Sequence, residues 1–192
     1  MLDIDRREQP TPVQRLERGR WHCRQCDTAH GWPFVLGAGA PDLWPHGQAH
    51  APNSALRLDG DFLSKDFCVL AGRYFMVRAV LAIPVIGLAD PFHFACWTTL
   101  SRTHFEEYVA AFVSGSHEEE GLWSGWLCNR LLGYGEGSEL PAVWVQPRAS
   151  IPRQRPLLWL QDGSHPLGLA QDSGISAERV LEILAAYGHA PG

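Results

Sequence analysis

The chain has 192 residues, 45% of them hydrophobic and 19% charged, with a formal net charge of −5 and a sequence pI of about 6.0. This composition excludes a disordered polymer and suits one globular core. The mild acidity, with no basic run, argues against a nucleic-acid partner. No run reaches the roughly 18 apolar residues of a membrane-spanning helix, and the polar start MLDIDRREQPTPVQRLERGR lacks the apolar stretch of a secretory leader. A cytoplasmic protein without a membrane partner is expected.

In chain order, residues 1–20 read as a disordered lead-in, because Pro10 and Pro12 interrupt a polar stretch without apolar periodicity. WHCRQCDTAHGWP, Trp21–Pro33, carries a C-x-x-C pair and a histidine in a turn-rich setting. A long loop rich in Gly, Pro, His and Asn follows to Gly60, with one helical turn around Ser54–Leu58. Phe67–Leu70 and Tyr74–Val80 read as a hairpin around Ala71-Gly72-Arg73. Phe92–Ser101 alternates, with Phe92, Phe94, Cys96 and Thr98 on one side and His93, Ala95, Trp97 and Thr99 on the other.

Ser101 then caps a helix whose apolar stripe is Phe105, Tyr108, Val109 and Phe112, ending at Gly115. SHEEE, Ser116–Glu120, is a charged surface loop, and Leu122–Leu131 is apolar without a clear period. Gly133–Gly137 forms a flexible turn. Ala142–Ala149 and Arg155–Gln161 read as strands, separated from a last helix by the turn-like QDGSHPL. That helix is capped by Ser176, carries Val180, Leu181, Leu184 and Tyr187, and ends before Gly188. The order strands, helix, strands, helix is not an alternating βαβ pattern. It predicts an α+β fold, a mainly antiparallel sheet with helices on one face and an N-terminal zinc-knuckle-like loop. Residues 21–190 form one domain, with the 21–60 knuckle and loop segment packed on a 61–190 α+β core.

The five cysteines are Cys23, Cys26, Cys68, Cys96 and Cys128, an odd number that suits metal binding or free thiols better than a disulfide framework. Two thiolates spaced C-x-x-C hold one tetrahedral ion from a tight turn, and a structural zinc site needs two more donors. Cys23, Cys26, His30 and Cys68 form the candidate set, with Cys128 and His22 as competitors for the last two places. Redox catalysis by the pair would need it at a helix N-terminus, whereas Gly31 and Pro33 point to a turn. The remaining enzyme signatures, from G-x-S-x-G to the Walker loop and H-E-x-x-H, are absent.

W-x-C-x-x-C, the block DFCVLAGRYFMVRAVLAIPVIGLADPFHFACWTTLS, GWLCNRLLGY and HPLGLAQDSGIS together resemble the DUF2199 family of uncharacterised bacterial proteins, over residues 21–187. The resemblance implies a C-x-x-C followed by Gly, then a nearby His and Pro. Here Asp27 replaces that Gly, while His30 and Pro33 stand in place. It also implies a cysteine before a VRG-like strand, matched by Cys68, with Ala79 where the family has Gly. It implies no activity.

Two functions are weighed. In the first, a non-catalytic domain with structural zinc binds a protein partner, using surface anchors among Trp97, Trp123, Trp126, Trp144 and Trp159. In the alternative, an enzyme or small-molecule binder holds its ligand in a polar pocket around Arg78, Asn129, Arg130 and His165.

Overall fold

The computed structural model describes residues 9–18, 20–23, 25–116, 121–134, 140–148 and 152–189. Residues 117–120 of the acidic loop and 135–139 of the glycine-rich turn lie outside them. The elements are α1 (Pro12–Glu17), β1 (Trp21–Cys23), β2 (Thr28–His30), β3 (Val35–Gly37), β4 (Phe62–Leu63), β5 (Phe67–Leu70), β6 (Tyr74–Ile83), β7 (Phe92–Leu100), α2 (Arg102–Phe112), β8 (Trp123–Trp126), β9 (Ala142–Gln146), β10 (Leu157–Leu160), α3 (Pro166–Ser173) and α4 (Ala177–Ala186). The fold is α+β, with a sheet that is mainly antiparallel.

The antiparallel pair β6–β7 is its spine, in register from Phe75↔Leu100 to Ile83↔Phe92. Opposed residues share a face, so the alternation read from Phe92 onward sorts both strands at once. Phe75, Val77, Ala79, Leu81 and Ile83 meet Leu100, Thr98, Cys96, Phe94 and Phe92 on one side, all buried. The four α-helices among the described residues all contribute to the core on this side: Leu16 from α1, Phe105, Tyr108 and Phe112 from α2, Leu167 and Ala170 from α3, and Val180, Ile183 and Leu184 from α4. Ser101 and Ser176 cap α2 and α4 as their sequences predict, accepting from the amides of His104 and Arg179. In the hairpin β5–β6, Ala71 and Gly72 both have positive φ, as its tight turn requires. The Ala71 amide donates to Asp61 Oδ1 at 2.6 Å, holding the strained residue in place.

The opposite face carries a second cluster of Leu63, Cys68, Met76, Trp97 and Cys128 with Ala40. The long loop after β3 covers it. Trp97 Nε1 donates to Ala38 O at 3.2 Å, and Asn129 Nδ2 donates to Ala40 O and Asp42 Oδ1, each at 2.9 Å.

The structure adds three features to the sequence reading. First, the sheet curls on itself. Beyond the path β7-β6-β10-β9-β8, the end of β8 returns to β7: Leu127 bridges Thr98, and the Cys128 amide donates to Trp97 O at 2.7 Å. Gly125 permits the crossing, because a Cβ there would collide with Thr99 O. Second, part of the predicted lead-in is ordered. Thr11 and Gln14 form a reciprocal capping box and Pro12 starts α1. Leu16 is fully buried, and α1 packs on α4. Third, QDGSHPL is both a turn and a helix start. Asp162 Oδ1 accepts from the Ser164 amide and hydroxyl, and His165 Nδ1 then caps α3 by accepting from the Leu167 amide. The period is hard to see in so short a helix as α3, whose buried Gln171 stitches it to β10 by accepting from Leu160 N and donating to Leu158 O.

Candidate metal centre

The hairpin β1–β2 pairs Trp21 with His30 and Cys23 with Thr28, which leaves Cys26 in the connecting turn. Asp27 closes that turn with φ +53°, a left-handed conformation that glycine adopts at no steric cost. This accounts for the glycine that the family resemblance implies there. Asp27 is tied down instead by His22, whose Nε2 lies 2.7 Å from Asp27 Oδ1 at the surface. His22 is thereby turned away from the thiols.

The C-terminal end of α4 supplies the other half. Gly188, at φ +76°, reverses the chain. Its amide donates to Ala185 O at 2.9 Å, and the His189 amide donates to Leu184 O at 2.7 Å. This pair of bonds is a Schellman close, and it carries His189 back over the hairpin. Trp21 Nε1 donates to His189 O at 3.1 Å and fixes it there. Trp21 also stacks on Phe34, and the His30 ring meets Phe34 and His189 edge-on.

Four donor atoms converge. Those of Cys23, Cys26, His30 and His189 all lie within 4.8 Å of one another. Cys26 Sγ is 3.0 Å from His30 Nε2, and His189 Nδ1 is 3.2 Å from Cys23 Sγ and 3.8 Å from Cys26 Sγ. A tetrahedral zinc, with Zn–S of about 2.3 Å and Zn–N of about 2.0 Å, spaces its donors roughly 3.3–3.8 Å apart. The group could hold a metal ion with small shifts. Burial pushes the Cys23 thiol up, but hydrogen bonds from the Cys26 and Gln25 amides and the Cys26 side chain outweigh it and leave the pKa lowered. Burial, then electrostatic interaction with His189 and His22, lowers the pKa of His30. Thiolate and neutral imidazole are the forms that ligate.

Cys68 is not in this group. It lies in β5 opposite Met76, fully buried against the second cluster. Burial pushes its thiol up to about 12, so it keeps its proton and packs as an apolar residue. Cys128 and Cys96 are likewise buried and raised to about 12. The donor that spacing did not suggest is His189, whose signal is a histidine placed directly after a helix-ending glycine.

The other candidate residues are dispersed. Asn129 is a buried structural bridge that accepts from the Trp97 amide at 2.8 Å while holding the covering loop. Asp42 also binds the Arg130 amide, and the Arg130 side chain is exposed. His165 caps α3, and Arg78 lies in β6 with its Nε buried and without a hydrogen-bond partner. Of the tryptophans, Trp97 and Trp123 are core residues, whereas Trp126, Trp144 and Trp159 are 59%, 39% and 43% exposed. No helix among the described residues is long and apolar enough to cross a membrane.

The sequence profile of a family described as "Uncharacterized protein conserved in bacteria (DUF2199)" matches residues 22–175. The match spans Cys23, Cys26 and His30 and stops short of His189. No curated protein and no solved structure matches the chain.

Proposed function

The chain belongs to the DUF2199 family, and from that premise we propose that it is a cytoplasmic, non-catalytic accessory domain with structural zinc. The observation that carries the metal reading is the convergence of Cys23, Cys26, His30 and His189 from opposite ends of the chain. Two thiolates and two imidazoles suit zinc by donor softness and number, and four protein donors leave no position open for a substrate. The ion links the β1–β2 hairpin to the end of α4, a structural task. The test is elemental analysis of untagged protein, followed by melting with and without a strong chelator. One zinc per chain and a melting temperature lowered by about 10 °C or more on chelation are expected. Metal-free protein that melts cooperatively and is indifferent to added zinc would sink the reading.

The protein-binding part rests on the outer face of β8, β9 and β10. Trp144 pairs directly with Trp159, and Trp126 lies on the neighbouring strand, diagonal to Trp144. Exposed tryptophans grouped on a rigid sheet are the residue type that anchors protein interfaces. Wild type and a Trp144→Ala/Trp159→Ala variant with equal melting temperature and zinc content would be compared as bait by quantitative mass spectrometry. Proteins retained by the wild type should fall at least tenfold with the variant. Equal retention would contradict this use of the face.

A further inference from the structure

A cavity of about 950 Å³ shares no residue with the metal group. It is walled by residues 50–54, Lys65–Phe67, one side of α2 and Arg153–Arg155. Its base is apolar, formed by the buried rings of Phe67 and Phe112 with Val80 and Val109, while Val113 stands exposed at its edge. Its polar wall is cationic. Lys65, Arg153 and Arg155 face a single carboxylate, Asp66, an excess of two positive charges in a chain whose net charge is −5. Asp66 is already committed, accepting from Arg155 Nε at 3.0 Å and from Asn53 Nδ2 at 2.9 Å. Among the described residues neither Lys65 nor Arg153 has a carboxylate partner.

Two further observations point to the same wall. Arg153 is held at φ +57°, a strained conformation for a non-glycine residue, with its amide donating to Phe112 O at 2.7 Å. Tyr108 Oη donates to Gln154 O at 2.8 Å, so α2 pins this segment at both residues. Strain of this kind persists where the surroundings over-determine it, and it gathers at ligand clamps. Arg78, two residues before Val80 on the same face of β6, interacts electrostatically with both Arg155 and Asp66, and its buried Nε has no partner. Positive charge thus exceeds negative here by more than the cavity lining alone shows.

We propose that this cavity binds a small molecule with an anionic carboxylate or phosphate head and an aliphatic body. The head pairs with Lys65, Arg153 and the outward side of Arg155. The body lies on Val80, Val109 and Phe112, a surface of branched aliphatic groups and ring edges. A cavity of this volume is within the range of ordinary ligand pockets, and guanidinium groups match both head types in geometry. The site is independent of the metal, so its failure would leave the zinc reading untouched.

The test is calorimetric titration of the 192-residue chain, as purified, with decanoate, decyl phosphate, decylammonium and decanol below their aggregation limits. Binding of at least one of the two anions at about one per chain is expected, and the stronger of the two identifies the head. Decylammonium and decanol should bind at least tenfold more weakly. Lys65→Glu and Val113→Glu, both exposed changes, and a Lys65→Ala/Arg153→Ala pair should each weaken the anion at least tenfold with zinc content unchanged. If the pair does not fold, the two exposed variants decide. No binding of either anion, equal binding of decanol, or unchanged binding in Lys65→Glu and Val113→Glu would overturn the proposal.

Discussion

Asn129 and Asp27 show how single residues serve this fold. Asn129 uses one buried amide group three times, accepting from Trp97 N and donating to Ala40 O and Asp42 Oδ1. Truncating it strands a buried backbone donor and an acceptor, each worth about 1–3 kcal/mol. Asn129→Ala should therefore destabilise by about 3 kcal/mol in chemical denaturation without loss of metal, and a change below about 0.5 kcal/mol would contradict the bridge role. From the sequence, Asn129 reads as either a turn cap or a ligand-orienting residue, since a polar group amid apolar text looks the same whether its partner is a ligand or backbone from a distant loop. Asp27 is the opposite case. The C-x-x-C spacing already demands a reversal there, and the structure supplies it at φ +53°.

At the level of elements, what was legible follows local period and capping. The β5–β6 hairpin, β7, α2 and α4 each carry their own signal in a few consecutive residues, and each is found, with β6 running on to Ile83. What was not legible depends on distant partners. α1 is a single capped turn and a half whose stability comes from burying Leu16 beside α4, and short helices gain most of their stability from such packing. The return of β8 to β7 rests on Gly125, a residue that in sequence only weakens a strand. Gly125→Ala would drive a methyl group into Thr99 O and Thr98 Oγ1. The expected cost is at least about 3 kcal/mol, above that of most overpacking changes, because the obstacle is backbone. A melting temperature within a few degrees of wild type would show that the crossing is looser than described.

At the scale of the molecule, the β1–β2 hairpin, α1 and the end of α4 come together at the candidate metal group. Cys23 and His189 are 166 residues apart in sequence and 3.2 Å apart in space. α1 and α4 pack together, and Trp21 bonds the backbone of His189. A metal ion held by this group would link the chain across a loop of this length and restrict the unfolded chain by about 5 kcal/mol in the chain-entropy treatment of cross-links, a large share of the 5–15 kcal/mol or so that holds a typical domain folded. Three of the four residues of the candidate group were legible in the sequence because they lie within eight residues of one another. His189 was not legible because only the folded core brings α4 to the hairpin, and Cys68, the fourth ligand expected from the sequence, is buried in the sheet interior away from this group. The decisive measurement is therefore zinc content by elemental mass spectrometry in wild type, His189→Ala and Cys68→Ser, each shown to be folded. About one zinc per chain is predicted for wild type and Cys68→Ser, with a loss of at least tenfold in affinity for His189→Ala. Zinc retained in His189→Ala and lost in Cys68→Ser would contradict the assignment of the site.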